Sequence, residues 1–561
     1  MSEYSKKQSF LHGTALLAAA TAIVKIIGAL YKIPLKMIIG DEGFGYFNTA
    51  YEIYNLLLLI STAGLPVAMS RLISEASSLE RYNQVRRIYR TCRTIFLALG
   101  LAGTLLMTLF CGHLARLQGQ PDAIYAIACL GPCVLLICVM STYRGFFQGQ
   151  GNMLPTSISQ VLEAIAKLIV GIALAFVIMK ASGNIPQAAG GAILGVTVSC
   201  VISVFYLMSR FRKTYRQLPE SQEPALGRKA TTKQLLAIAI PITIGAAGLQ
   251  LLTVMETGIY MDKLIGLLES NTYTHAIVPL IKAEVIEKYP GILPVDLPAK
   301  IAANLKGIYN MTQTIYNLPV AFLAPITISI LPAITSHLTL KNSHDARQTA
   351  ESAARVTGLI CMPCAMGLIA LSGPVMALLG GYSGEKLTLA SQLMTVQGIC
   401  IIFNAIVLLT NAIMQAHGHV NLPMINMFIG GILKLVAVYV LTGNPHIGIL
   451  GTPIGSLLCY TTITALNLIT MRKSIDNAPA IMKNLIRSGL AALIMGICTY
   501  GSWYALAQVL GDGGNRVLLC GIPICIGVVV YAFLAIKFKA ITRTDCLLLP
   551  KGEKIAKLLN L

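Results

Sequence analysis

Apolar runs of about twenty residues or more, separated by short polar stretches, recur along this 561-residue chain. A bilayer's hydrocarbon core is about 30 Å thick, and a helix needs about 20 residues to cross it. Runs of this length fit membrane helices, not the roughly ten-residue alternating strands of outer-membrane barrels. Fourteen candidate spans result, near 11–33, 46–69, 92–113, 123–146, 154–179, 188–209, 234–262, 307–336, 350–371, 388–415, 421–441, 448–470, 485–509 and 516–536. Composition agrees: 12% of residues are charged, against about 25% in soluble proteins. The expected fold is an all-α polytopic membrane protein with 14 transmembrane helices. The same numbers exclude a water-soluble enzyme, a disordered scaffold and a nucleic-acid-binding domain.

The net charge is +20, from 43 Lys and Arg against 23 Asp and Glu. In a membrane chain this excess marks cytoplasmic loops. With the N-terminus inside, the segments 70–91, 210–233, 337–349, 471–484 and 537–561 are cytoplasmic and hold most of the basic residues, including Arg81, Arg86, Arg212, Arg228, Lys229 and Lys233. Both termini are then cytoplasmic. The stretch Leu11 to Ile33 is too long for the apolar region of a cleavable signal peptide and lacks a small-residue cleavage site, so none is expected. Most of the 14 cysteines sit inside apolar runs, where they pack as small hydrophobes. The Cys361–Cys364 spacing lies in such a run and is read as packing. The segment 263–306 is too long for a tight turn and predicts a short amphipathic helix on the outer face. The tail 538–561 is either a helix lying on the anionic inner leaflet or a solvated end.

The second half of the chain repeats the first. Gly45–Tyr46–Phe47–Asn48 recurs as Gly307–Ile308–Tyr309–Asn310, an offset of 262, and Arg81 recurs as Arg347, an offset of 266. Gln148, Gly151 and Lys167 recur as Gln415, Gly418 and Lys434, an offset of 267. Each repeat holds six spans, so the two have the same orientation and are expected to be related by an axis along the membrane normal. This organisation predicts an N-lobe at 1–216, a basic linker at 217–233, a C-lobe at 234–473, two additional spans within 474–537 and the tail. Repeats of this kind place a substrate site between the halves and suit a transporter.

Lys25, Lys167 and Lys434 lie near mid-span, each at a cost of about 2.5–3.5 kcal/mol. They should therefore face protein or water. Lys25 and Lys32, seven residues apart, share a face of the first helix. Glu163 lies one turn from Lys167 and is expected to neutralise it. Lys434 has Gly430 at the matching place, which suggests either an anion site or a buried pair with Glu52 or Glu256. Asn48, Glu52 and Asn55 form one polar stripe, repeated as Asn310, Thr314 and Asn317. The stripes either line a shared cavity or bond helices together. Glu256 is a candidate cation or proton site. There is no Walker A sequence and no HExxH. His417 and His419, with Gly418 between them, lie at a helix end and are read as a loop, with no metal site expected.

The segment Lys25–Ile26–Ile27–Gly28 to Ile33–Pro34, followed by Gly40 to Gly45 and by Ser61–Thr62–Ala63–Gly64–Leu65–Pro66 through Glu75, resembles the opening of the polysaccharide-exporter branch of the multidrug/oligosaccharidyl-lipid/polysaccharide superfamily. It is similar to the stage V sporulation protein B group and the lipid II flippases. The resemblance implies a V-shaped, two-lobed bundle with a cationic central cavity, and a groove on the last two helices for a polyprenyl tail. It implies a flippase in the bacterial plasma membrane, acting as a monomer on an undecaprenyl-pyrophosphate-linked saccharide, with lipid II the favoured cargo. Another lipid-linked polysaccharide unit and a cation-coupled drug antiporter are the alternatives. Lys25, Lys32, Asn48, Glu52, Asn55, Lys167, Asn310, Asn317 and Lys434 are the candidate substrate residues. Sodium or proton coupling would use Glu256 on span 7. The family's second acid, on span 11, has no match: Asn426 and Lys434 stand there. The family's basic residue within span 2 is also absent, since that stretch reads Leu56–Leu57–Leu58–Leu59.

Overall fold

The computed structural model describes residues 3–219, 223–511 and 515–540, with side chains described from residue 20 onward except at 22, 249, 324–329 and 332. The expected tail therefore lies, from residue 541, outside the described residues. Within them the chain is helical, without strands. Two compact units form, Met1–Glu269 with Val285–Asn310, and Ser270–Glu284 with Met311–Leu561.

The first unit holds α1 (Glu3–Thr62), α2 (Leu65–Ser78), α3 (Tyr82–Leu109), α4 (Cys111–Leu117), α5 (Ile124–Gly149), α6 (Leu154–Ser182), α7 (Ile185–Arg216) and α8 (Arg228–Glu269). Two helices, α9 (Ile277–Lys288) and α10 (Leu297–Thr339), pass from one unit into the other. The second unit continues with α11 (Ser343–Ala370), α12 (Ser372–Leu379), α13 (Gly384–Ala416), α14 (Asn421–Thr442), α15 (Gly451–Ser474), α16 (Ile481–Leu510) and α17 (Arg516–Lys537).

Among the described residues, 12 helical stretches are long and apolar enough to cross a membrane, against the fourteen expected. Spans 11–33 and 46–69 merge because no loop separates them: α1 runs through Pro34 and changes direction at one residue, Gly40, with φ 69° and ψ −177°. Only glycine adopts that backbone geometry readily. An ion pair between Lys36 and Asp41, 3.3 Å and buried on both sides, brackets the kink. Span 307–336 lies within α10, where part of the apolar stretch falls outside the described side chains, and it is not among the twelve. The segment 263–306 contains the expected short helix as α9, with Ile277, Ile281 and Val285 buried at intervals of four. Its neighbours are longer than expected: α8 extends to Glu269 and α10 begins at Leu297.

Helix pairing follows the sequence repeat. In the first unit α3 packs on α5, α5 on α7 and α6 on α7; in the second, α11 packs on α13, α13 on α15 and α14 on α15. The unit boundary does not follow it, because α8 packs on α1, α2 and α3. One contact joins repeat-related residues directly. A Cβ on Gly45 would meet the Ala303 carbonyl oxygen at 2.6 Å, and one on Gly307 would meet the Asp41 carbonyl oxygen at 1.8 Å. Ala303 and Asp41 stand one turn before Gly307 and Gly45, so the crossing of α1 and α10 is two-fold symmetric in its pairing. Bare backbones approach this closely only where side chains are absent.

Gly307→Val should therefore force the crossing apart and destabilise the protein by at least the roughly 1–3 kcal/mol typical of overpacking. Gly28→Ala on α1, whose added methyl meets nothing within 4 Å, should not. Thermal melting of the two purified variants beside wild type checks the contrast.

Candidate functional site: a lysine cluster in the first unit

Past the Gly40 kink, α1 presents a polar face one residue wider than the stripe in the sequence. Asn48 donates Nδ2 to the Phe44 carbonyl (2.7 Å) and accepts from Lys32 Nζ (3.1 Å). Thr49 donates to Gln120 Oε1 (2.6 Å) and accepts from Lys306 Nζ (2.6 Å). Glu52 receives Lys306 Nζ at 3.2 Å. Lys306, on α10, is fully buried. It is absent from the sequence-derived site because hydropathy starts the span at residue 307, whereas α10 begins ten residues earlier. The signal that could have revealed it is the neighbouring Gly307, repeat partner of Gly45, which marks a close helix crossing.

Lys167 reaches in from α6. Its Nζ lies 3.5 Å from the Tyr51 hydroxyl and 5.6 Å and 5.8 Å from the ring centroids of Tyr31 and Tyr51, a cation held by π-faces. Glu163 stays within electrostatic range of Lys167 but makes no direct ion pair with it. Glu163 instead accepts from Arg144 on α5 (3.0 Å), whose Nε also donates to Ser159 Oγ (3.0 Å). The planar guanidinium satisfies both groups at once, a geometry that an ammonium one turn away on the same helix does not offer. Among the described residues, neither Lys32 nor Lys167 has a carboxylate within ion-pair distance, and both remain half-buried. The two lysines lie within electrostatic range of each other.

The other candidates are dispersed. Lys25 is exposed on the first part of α1, and Asn55 is half-buried on its second part. Asn310 is buried at the end of the α10 stretch that belongs to the first unit, while Asn317 is exposed in the second. Lys434, half-buried on α14, acts on Tyr460 and Cys400. Glu256 is buried on α8, one turn from Tyr260. Asn426 donates to Asn467 Oδ1 (2.9 Å), and Asn467 donates to Thr410 (2.9 Å) and Asn411 (2.8 Å). This neutral amide network ties α13, α14 and α15 together. Among the described residues, no cluster of three or more His, Cys, Asp and Glu is placed to hold a metal ion.

Each unit holds one further feature. In the first unit Glu42, buried two residues beyond the kink, accepts from Tyr46 (2.9 Å), Tyr289 (2.9 Å), Lys300 (3.2 Å) and Lys288 (3.5 Å). Lys300 also pairs with Asp122 at 2.9 Å. Tyr46, Asp122, Lys288, Tyr289 and Lys300 border a cavity of about 560 Å³. Burial and the adjacent Glu42 carboxylate hold the Tyr289 phenol well above its ordinary pKa. In the second unit an apolar cavity of about 580 Å³ opens among α10, α11, α12, α16 and α17, lined by residues that include Pro319, Pro363, Met495, Ile524 and Tyr531.

Known structures share this fold. A lipid II flippase MurJ in an inward closed conformation matches with a TM-score of 0.64 at 16% identity, covering 93% of this chain and 98% of that one. An inward-facing MATE-family multidrug resistance transporter matches at 0.60 and 14%, covering 82% and 96%. At these identities the likeness shows the fold, an all-helical bundle whose helices are long and apolar enough to cross a membrane. Residues 10–337 match the polysaccharide biosynthesis protein family, and the chain belongs to that family. Residues 299–511 also match the lipid II flippase MurJ family. Stage V sporulation protein B of Bacillus subtilis (strain 168) is 25% identical over 549 residues, 97% of this chain and 98% of its own. The lipid II flippase MurJ of the same organism is 24% identical over 441 residues, 76% of each chain.

Removing one partner of a buried ion pair costs about 3–5 kcal/mol, whereas replacing both is often neutral. Glu52→Ala should accordingly lower the melting temperature more than the double variant Glu52→Ala/Lys306→Met does. Equal losses would show that the Lys306 charge is not what makes the single variant unstable.

Proposed function

We propose that this protein is a flippase that carries a polyprenyl-pyrophosphate-linked saccharide from the inner to the outer leaflet by alternating access, with lipid II as the favoured cargo. The observation that supports this reading is the charge left over once the internal pairs are assigned. Arg144 pairs with Glu163 and Lys306 with Glu52, while Lys32 and Lys167, within electrostatic range of each other, have no carboxylate at ion-pair distance among the described residues. A pyrophosphate head is polyanionic, and two ammonium groups in surroundings of low dielectric attract it strongly. Asn55, half-buried on the same helix, offers an amide to sugar hydroxyls, and Asn48 orients Lys32. The polyprenyl tail need not leave the lipid phase. No bond is made or broken.

A cation-coupled drug antiporter fits less well. That function calls for acidic side chains free to meet a cation, and both Glu52 and Glu163 are already engaged by basic partners. Sodium or proton coupling through Glu256 is part of the proposal, without a second acid on α14. The basic segments support cytoplasmic termini in a bacterial plasma membrane.

Complementation of a bacterial strain depleted of its own lipid II flippase tests the reading. The wild-type protein should restore growth. Lys32→Ala/Lys167→Ala, present in the membrane at wild-type level, should not. Rescue by the double variant would remove the lysine pair from the site, and failure of well-expressed wild type would remove lipid II as cargo.

A further inference from the structure

The first two turns of α8 carry Arg228, Lys229 and Lys233, all exposed. At intervals of four they head two adjacent ridges, 228–232–236–240 and 229–233–237–241. Below the cations these ridges become Thr232, Leu236, Ala237, Ile240 and Pro241. Cations and ridges together line an open concavity of about 950 Å³. Among the described residues no carboxylate borders it. The first turn of α8 holds no acidic residue, and Glu223 just upstream is taken by Arg81 at 2.6 Å. Among the described residues none of the three cations has an ion-pair partner. They also stand at the helix end where the macrodipole is positive, a place that disfavours cations.

The dimensions are those of a lipid. From Arg228 to Pro241 the helix rises about 20 Å at 1.5 Å per residue. That is about half of a bilayer's total thickness of roughly 40–45 Å including headgroups. We propose that this face of α8 binds an anionic phospholipid of the inner leaflet, its phosphate held by Arg228, Lys229 and Lys233 and its acyl chains laid along Leu236, Ala237, Ile240 and Pro241. A general excess of inside charge requires basic residues anywhere near the membrane. A bound lipid requires them at the head of an apolar groove, as here. The bundled basic residues at the end of α7 provide the contrast: they lie at a helix C-terminus, where Arg210 stacks on Tyr206 and Arg212 contacts Met208.

The test uses the full-length protein reconstituted in phosphatidylcholine vesicles with or without phosphatidylglycerol, followed by native mass spectrometry of the lipids retained after mild extraction. It is independent of cargo, so it can fail while the flippase reading stands, and the reverse. Wild type should retain phosphatidylglycerol in preference to phosphatidylcholine. Each charge removed should weaken that preference about fivefold, and Arg228→Gln/Lys229→Gln/Lys233→Gln by roughly a hundredfold. Arg212→Gln/Lys213→Gln should retain the wild-type preference. Melting in phosphatidylcholine alone reports whether the triple variant is folded, and the single Lys233→Gln variant provides the smaller, fivefold reading if it is not. Unchanged retention in the folded variants, or an equal loss in the α7 control, would overturn the proposal. So would displacement of phosphatidylglycerol by undecaprenyl pyrophosphate, which would assign the groove to the cargo.

Discussion

An ammonium group at membrane depth must be paired, cradled by polar groups or hydrated, and the sorting of lysines among these fates organises the first unit. Lys36 and Lys306 are paired, the first across the Gly40 kink and the second across the crossing of α1 and α10. The first pair is buried on both sides, the second on its lysine side, and both hold the scaffold. Lys32 and Lys167 are cradled instead, by an amide oxygen and by tyrosine rings, and both keep contact with solvent. Neutral partners orient a cation without cancelling its charge. The same fold thus places one residue type both in buried ion pairs and beside neutral partners.

The repeat preserves geometry and varies chemistry. At a common offset of 267, Arg144, Ser159, Glu163 and Cys200 of the first unit correspond to Asn411, Asn426, Gly430 and Asn467 of the second. The first set joins α5 to α6 through an ion pair; the second joins α13, α14 and α15 through amides. Each solution satisfies its own polar groups, as a low-dielectric interior demands. Lys167 and Lys434, at that same offset, both lie near tyrosines. Divergence has therefore fallen on the groups that link helices, and the lysine position has kept its basic character.

Much of this is legible in the sequence because bilayer thickness fixes span length and because the repeat registers two helices against each other. The pairing of Gly45 with the residues around Gly307 follows that register. The rest depends on neighbours that a linear pattern does not identify. Hydropathy starts α10 too late because Lys300 and Lys306 depress it, yet pairing with Asp122, Glu42 and Glu52 lets the helix continue through them. Helical spacing assigns Glu163 to Lys167, whereas Arg144 on the adjacent helix supplies the better geometry. The loop expected between the first two spans shrinks to one glycine, since a single positive φ replaces a turn.

On the proposed function, Lys32 and Lys167 make the protein selective for pyrophosphate. Equilibrium competition on the purified protein, between undecaprenyl pyrophosphate and the uncharged undecaprenol, measures that selectivity with the tail held constant. The account predicts a preference for the pyrophosphate of about tenfold or more, which shrinks as salt screens the lysines and is lost in Lys32→Ala/Lys167→Ala. Equal binding of the two lipids, or a preference that survives loss of both lysines, would contradict it.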